Sequence, residues 1–192
     1  VSPENGADQP AVLAFNGTGG DNKNILFYDA GRFQYYDPDI QFQSSTDTYP
    51  EGQWHHVAVV IAADDSGTLY VNGTEQATFT TGVRPVAGGR FSIGQEWDND
   101  AASNLFVGRL DEVRLWDTAR TRDDIREGMH RTGDPSASGL AAYWRFEAGT
   151  AETVYDYAGR TLGTLGDPRR RASGAPVGQQ AALASGGQTR AV

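Results

Sequence analysis

The sequence from residue 91 to residue 117, FSIGQEWDNDAASNLFVGRLDEVRLWD, indicates two strands joined by an acidic loop. Phe91 and Ile93 share one strand face at a period of two residues, and Val113 and Leu115 repeat this pattern after the loop. The loop lacks Lys and Arg, and it carries four oxygen-bearing side chains, Glu96, Asp98, Asp100 and Asn104. Because Ca2+ prefers carboxylate and amide oxygens, the loop is either a calcium site or an acidic hairpin loop that stays in water.

Short strands separated by turn residues are predicted throughout the chain. The turn sequences Asp29-Ala30-Gly31 and Asn72-Gly73 each join two alternating segments, as is typical of tight β-hairpins. The apolar segment 53–62 predicts a central strand that is buried on both faces. The other predicted strands are 11–15, 25–28, 32–36, 40–43, 68–71, 75–80 and 140–146.

One short helix is predicted near residues 122–130. Thr121 is a good N-cap, and Asp124 lies three residues later, as in a capping box. Ile125 and Met129 then fall on one helix face. Many short strands with a single late helix predict an all-β fold, a two-sheet antiparallel jelly-roll sandwich.

The composition limits the possible functions. A net charge of −9 argues against nucleic-acid binding, and Lys23 is the only lysine among 16 basic residues. The absence of cysteine excludes disulfides and cysteine-ligated metals. No apolar run approaches the ~20 residues of a membrane span, so membrane insertion is not expected. Residues 1–148 are predicted to form the domain, and residues 149–192, rich in Gly, Ala and Ser, a C-terminal linker or tail.

Four phrases in a fixed order carry a family resemblance: QWHHVAVV (53–60), GTLYVNGTE (67–75), RFSIGQEWD (90–98) and FVGRLDEVRLWDTARTRDDI (106–125). As a set they resemble the laminin-G-like jelly rolls of the concanavalin A-like lectin/glucanase superfamily, in particular its pentraxin-like branch. The resemblance covers residues 11–147. It implies that the sequence begins inside a module whose first strands are absent, and that neighbouring domains of a longer chain adjoin it.

The resemblance also implies a calcium site built from two loops. Pentraxins carry an Asp-Asn pair before an Ile-Leu-rich strand, and Asp21 and Asn22 match this pair. The second pentraxin loop is matched by Glu96, Trp97 (through its backbone carbonyl), Asp98 and Asn104. This loop is shorter than in pentraxins and one family carboxylate has no clear counterpart, for which Asp100 is the candidate replacement. One bound Ca2+ is therefore expected rather than two.

Aromatic side chains near the acidic loop are candidates for ligand contact. Trp97 lies inside the loop, and Tyr28 ends the strand that follows the Asp21-Asn22 pair. An aromatic ring beside Ca2+ can stack on a sugar ring while hydroxyl groups complete the shell of the metal. The alternative for Trp97 is a place in the core.

Two other residue pairs suggest chemistry at first sight. His55 and His56 are adjacent, so on a strand they point to opposite faces and cannot share one metal ion. Asp111 and Glu112 look like a catalytic pair, but the superfamily's glucanases use Glu-x-Asp-x-Glu on one strand face. Neither face carries a second acid here. We therefore predict packing and scaffold roles for both pairs.

These features predict a non-catalytic, calcium-dependent binding module of a secreted or cell-surface multidomain protein. The expected partner is a carbohydrate, or another polar cell-surface or protein ligand. The alternative is a structural or adhesion spacer module that Ca2+ merely stiffens. A glycoside hydrolase is a third and less favoured hypothesis.

Overall fold

The structure is a computed structural model of the chain, and it describes residues 1–4, 9–19, 21–99, 101–147, 153–159 and 162–164. The chain divides into two compact units, Val1–Arg109 and a second unit that begins at Leu110. The strands of the first unit are β1 (Ser2–Pro3), β2 (Ala11–Asn16), β3 (Asn22–Asp29), β4 (Arg32–Asp37), β5 (Gln41–Ser44), β6 (Val57–Ile61), β7 (Ser66–Val71), β8 (Thr74–Thr80), β9 (Arg90–Ile93), β10 (Glu96–Asp98), β11 (Ala101–Ser103) and β12 (Gly108–Arg109). The second unit contains β13 (Val113–Trp116), α1 (Arg122–Gly128), β14 (Leu140–Trp144), β15 (Thr153–Tyr155) and β16 (Leu162–Thr164).

Two antiparallel sheets form the body of the first unit. One has five strands in the order β5-β4-β3-β2-β9, and the other has three in the order β6-β7-β8. The sheets meet through aromatic side chains, since the ring of Tyr35 in β4 stacks on Phe79 of β8 at a centroid distance of 4.5 Å. Phe33 and Leu69, from opposite sheets, are fully buried. The predicted fold class, an all-β antiparallel sandwich with one short helix, is confirmed.

The two predicted hairpin turns are present. Ala30 and Gly31 have φ values of 47° and 77°, and Asn72 and Gly73 have φ values of 51° and 71°. Two consecutive positive φ values are the signature of a type I′ turn, which matches the twist of the flanking strands. The chemistry of the turn residues therefore sets the registers of β3 with β4 and of β7 with β8.

The prediction for residues 53–62 is wrong in both extent and burial. The strand β6 covers only Val57–Ile61, all five of its residues are half-buried, and among the described residues it pairs only with β7. The preceding residues form a connection that His55 holds in place. Its amide donates to the carbonyl of Val1, and its ring Nε2 lies 3.1 Å from the carbonyl of Pro50. An apolar run alone cannot distinguish an edge strand from a central one, because strand partners decide this.

The helix of the second unit begins where the sequence predicts. The Thr121 side chain accepts a hydrogen bond from the Asp124 amide, and the Asp124 side chain accepts one from the Thr121 amide, so the capping box is confirmed. The helix ends at Gly128 rather than at residue 130, and Met129 is its C-cap. Within the described part of the chain, no helix is long and apolar enough to cross a membrane.

Two short strands lie in the segment 149–192, for which the sequence predicts a linker or tail. β15 pairs with β16, and Asp156 forms an isolated bridge with Trp144. The buried Asp156 carboxylate accepts hydrogen bonds from the amides of Tyr143 and Ala158 at 2.8 and 2.9 Å. This part of the segment is therefore attached to β14, while residues 165–192 lie outside the described residues.

Gly67 provides a test of the packing between the two sheets. It is buried in β7, and a Cβ atom at this position would lie 2.0 Å from Cε2 of Phe79, the ring that stacks on Tyr35. We expect Gly67→Ala to lower the free energy of unfolding by about 1–3 kcal/mol, because the stacked ring has to move. Urea denaturation measures this change.

Gly82→Ala is the matched control for that variant. Nothing lies within 4 Å of its Cβ position, and its φ is outside the positive region. We expect a change of less than about 0.5 kcal/mol. Equal effects of the two substitutions would contradict the described position of Phe79.

Candidate calcium and ligand site

The acidic loop predicted between the two strands forms a small hairpin. β10 pairs with β11 in the register Glu96↔Ser103, Trp97↔Ala102 and Asp98↔Ala101, and Asn99 in the turn has a φ of 46°. β10 also contacts β2 and β3 of the five-stranded sheet. This packing brings the acidic residues to the end of β2 and the beginning of β3, where the predicted Asp-Asn pair lies.

Glu96 and Asn22 meet at this point. The Asn22 side chain lies beside the Glu96 carboxyl and favours its charged form, although the two residues are 74 positions apart in the sequence. Glu96 is only 3% exposed. Burial raises the pKa of its carboxyl from 4.5 to about 7, and the neighbouring charge of Asp98 adds to this rise. The nearby side chains of Asn22 and Ser103 lower the pKa but do not offset the burial.

Asn16, at the end of β2, joins the two halves of the site. Its Nδ2 donates to Oδ1 of Asn22 at 2.8 Å and to the backbone carbonyl of Trp97 at 3.2 Å. These two oxygens are among the calcium ligands that the sequence predicts. The residue pattern alone does not indicate this role, because Asn16-Gly17-Thr18 has the residue types of an ordinary turn.

Three buried oxygen atoms in this cluster have no hydrogen-bond partner among the described residues. They are Oε2 of Glu96, Oδ1 of Asn16 and Oγ of Ser103. Glu96 and Asn16 are 3% and 2% exposed. A buried polar atom without a partner costs on the order of 1–3 kcal/mol. Hard oxygen atoms of this kind are the donors that Ca2+ binds, so the residues present fit a calcium ion.

The remaining predicted ligands lie at the edge of this cluster or outside the described residues. Asp98 and Asp21 are exposed, and the backbone carbonyl of Asp21 accepts a hydrogen bond from the Gly17 amide. The Asn104 side chain donates to the carbonyl of Gln9 at 2.9 Å. Asp100 lies outside the described residues. Among the described residues, no three His, Asp or Glu side chains form a group that could hold a metal ion. Backbone and amide oxygens would therefore have to contribute to a calcium site.

The two aromatic candidates lie in different places. Trp97 is half-buried, its Nε1 donates to Ser92 Oγ at 2.8 Å, and the Arg90 guanidinium lies 4.6 Å from its ring centroid. Tyr28 is buried and donates to the carbonyl of Tyr49. It follows Asn22 by six residues along β3, a separation of about 20 Å at about 3.3 Å per residue. The structure therefore brings Trp97, and not Tyr28, to the cluster.

Lys23 lies beside the site. It follows Asn22 in β3, is half-buried, and its Cε is 3.0 Å from the position of a Cβ built on Gly17. The aliphatic part of the side chain thus lies over the turn between β2 and β3.

The histidines and the Asp111-Glu112 pair have structural partners. His55 is buried against the rings of Phe33 and Tyr49, and this burial lowers the pKa of its imidazole. In the second unit, the Glu112 carboxylate accepts hydrogen bonds from Arg114 and, at 2.6 Å, from the hydroxyl of Tyr143. These contacts support the scaffold role predicted for Glu112.

The family comparison agrees with this architecture. The family model described as "Concanavalin A-like lectin/glucanases superfamily", a laminin G model, matches residues 1–126. The chain belongs to this superfamily. Its laminin-G-like strands are those that place Asn22 beside Glu96. None of the curated proteins matches the chain.

Two solved structures are similar to this superfamily member. One is a "putative carbohydrate binding protein" from Bacteroides ovatus, with a TM-score of 0.68 and 22% identity over 85% of this chain. The chain spans about half of that structure, 51% of its length, and at this identity the similarity shows the fold alone. The other is an S-layer domain-containing protein from Clostridium thermocellum, with a TM-score of 0.38 and 24% identity. The match covers 66% of this chain and 65% of that structure. A TM-score this low supports no structural inference.

The raised pKa of Glu96 predicts how stability depends on pH in the calcium-free protein. Because the folded-state pKa is about 7 and the ordinary value is 4.5, this residue stabilises the fold below pH 4.5. That contribution is lost as the pH rises through 7. We expect Glu96→Gln to be more stable than the wild type at pH 8 by about 1–3 kcal/mol and nearly equal at pH 4.5. Urea denaturation in EDTA at both pH values measures the difference.

Glu75→Gln serves as the control, because Glu75 is exposed on β8. Its stability difference from the wild type should not change between the two pH values. If Glu96→Gln behaved in the same way as Glu75→Gln, the described burial of Glu96 would be wrong.

Proposed function

We propose that this chain is a non-catalytic, calcium-dependent carbohydrate-binding module of a secreted or cell-surface protein. The observation that supports this most directly is the meeting of Asn22 with Glu96, in which one buried carboxylate oxygen is left without a partner. Polar residues that are distant in the sequence lie together here. Because burying unpartnered polar groups is costly, such a cluster is unusual in a protein core.

Glu96, Asn22 and the carbonyl of Trp97 would hold the calcium ion, and Asp98 would approach it from the solvent side. A bound Ca2+ supplies a positive centre that attracts hydroxyl or other oxygen ligands. The chain's own contribution is the buried carboxylate, whose negative charge a cation would neutralise. The exposed Asp98 and Asp21 leave the outer side of the cluster polar.

Carbohydrate is the ligand class that the fold and the site support together. The superfamily includes lectins, and the similar structure from Bacteroides ovatus carries a carbohydrate-binding name. Sugar hydroxyls can complete the oxygen shell of Ca2+. One face of Trp97 lies against Arg90, so this ring would contact a sugar only through its other face or its edge.

A glycoside hydrolase is less well supported. A retaining enzyme needs two carboxyl groups about 5 Å apart across the bond that is cleaved. Glu112 is instead held by Arg114 and Tyr143, and Arg145 lies 3.7 Å from its other carboxylate oxygen. A carboxylate with several cationic and hydroxyl partners is suited to fixing strands rather than to proton transfer.

A second candidate function is a spacer or adhesion module in which Ca2+ only stiffens the loops. The burial of Glu96 favours it, since a cation bound by this residue would lie partly below the surface. Both functions require calcium binding, and only the first requires a ligand.

Calcium binding is tested by isothermal titration calorimetry on the wild type and Asp98→Asn. We expect the wild type to bind Ca2+ and the variant to bind it at least about tenfold more weakly, because a carboxylate ligand is lost. Asp39→Asn, which removes an exposed carboxylate from the turn before β5, should bind as the wild type does. Wild-type protein that shows no heat of binding would refute the calcium site.

A glycan array separates the two candidate functions. We expect the module to bind a subset of glycans with Ca2+ present and to lose this binding in EDTA. Glu96→Gln should behave in Ca2+ as the wild type does in EDTA. Calcium-dependent thermal stabilisation without binding to any glycan would instead support the spacer function.

A further inference from the structure

Asn16 has a position that the sequence-predicted ligand set does not explain. It is buried, and its Nδ2 lies between Oδ1 of Asn22 and the carbonyl of Trp97, at 2.8 and 3.2 Å. Both of these oxygens are predicted calcium ligands. An amide N–H group thus lies where two candidate ligands converge.

We propose that Asn16 is an additional calcium ligand, whose amide nitrogen hydrogen-bonds to two of the other ligand oxygens while the protein is calcium-free. This inference rests on the calcium site of the proposed function. It adds a residue from β2 to a site otherwise built from β3 and β10. That residue would have one role in the calcium-free protein and another in the calcium-bound protein.

The distances between these atoms match a calcium shell. When ligands surround Ca2+ in a pentagonal bipyramid at about 2.4 Å, neighbouring oxygens lie about 2.8–3.4 Å apart. The Asn16 amide lies at 2.8 and 3.2 Å from the two predicted ligand oxygens. An oxygen at the same position would therefore be a neighbouring ligand without any movement of the backbone.

A rotation of the Asn16 side-chain amide supplies this oxygen. The carbonyl and NH2 ends of the amide exchange places when the group turns by about 180°. Oδ1 now has no partner among the described residues, so the turn breaks no hydrogen bond of this atom. Without a cation, the amide nitrogen donates hydrogen bonds to the two acceptor oxygens. With a cation, the amide oxygen would bind the cation instead.

Asn24 shows that an unpartnered amide oxygen is not sufficient for this role. It is also buried, and its Oδ1 also has no partner among the described residues. Its Nδ2, however, donates to the hydroxyl of Tyr35 and the carbonyl of Val83, neither of which is a predicted ligand. What distinguishes Asn16 is contact with both halves of the site, and Asn24 therefore provides a matched control.

The test compares the wild type, residues 1–192, with Asn16→Ala, Asn16→Asp and Asn24→Ala. Calorimetry measures Ca2+ affinity, and thermal melting measures stability in EDTA and in Ca2+. We expect Asn16→Ala to weaken Ca2+ binding by about tenfold or more, and Asn24→Ala to change it by less than about threefold. Asn24→Ala should lower the melting temperature equally with and without Ca2+.

Asn16→Asp distinguishes a ligand from a residue that only positions others. Its carboxylate retains an oxygen but lacks the N–H donor, and it adds a negative charge near Glu96. We expect Ca2+ binding at least as tight as in the wild type, together with a lower melting temperature in EDTA.

Three results would overturn the inference. If Asn16→Asp lost affinity as Asn16→Ala does, Asn16 would only position its neighbours. Unchanged binding by Asn16→Ala would exclude it from the shell while leaving the proposed function intact. Wild-type protein without calcium binding would remove both the inference and the site on which it rests.

Discussion

The stacking of Tyr35 on Phe79 is the contact on which the arrangement of the first unit depends. Tyr35 is 2% exposed, and its hydroxyl donates to Asp37 and accepts from Asn24. Burial raises the pKa of this hydroxyl, which therefore stays protonated and keeps its hydrogen bonds. Because Asn24 belongs to β3, this hydrogen bond also links the contact between the sheets to that strand.

The loss of stability at this cluster comes mainly from one buried carboxyl group, that of Glu96. The hairpin of β10 and β11 packs on the sheet and removes Glu96 from water, while Asp98 places a second negative charge nearby. The same burial strengthens the attraction of this carboxylate for a cation, since the surrounding medium screens it less than water does. In the proposed calcium site, this burial would lower the stability of the calcium-free protein and raise its affinity for the cation.

Local sequence signals predicted the parts of the fold that local chemistry determines. Asn72-Gly73 formed its hairpin turn and Thr121 its capping box, because only neighbouring residues take part in them. The segment 53–62 was misjudged because the burial of a strand depends on partners distant in the sequence. The family resemblance identified Asn22 and Glu96, which the structure brings together. It did not identify Asn16, whose hydrogen bond to the carbonyl of Trp97 exists only because β2 lies beside β10.

Lys23 gives this molecule a practical property. It is the only lysine in the sequence, and it directly follows Asn22. Besides the α-amino group of the N-terminus, an amine-reactive fluorophore would therefore attach to one side chain only, whose aliphatic part lies over the turn between β2 and β3. Changes in the environment of this turn could be followed optically in the otherwise unaltered protein, without introducing a cysteine into a chain that has none.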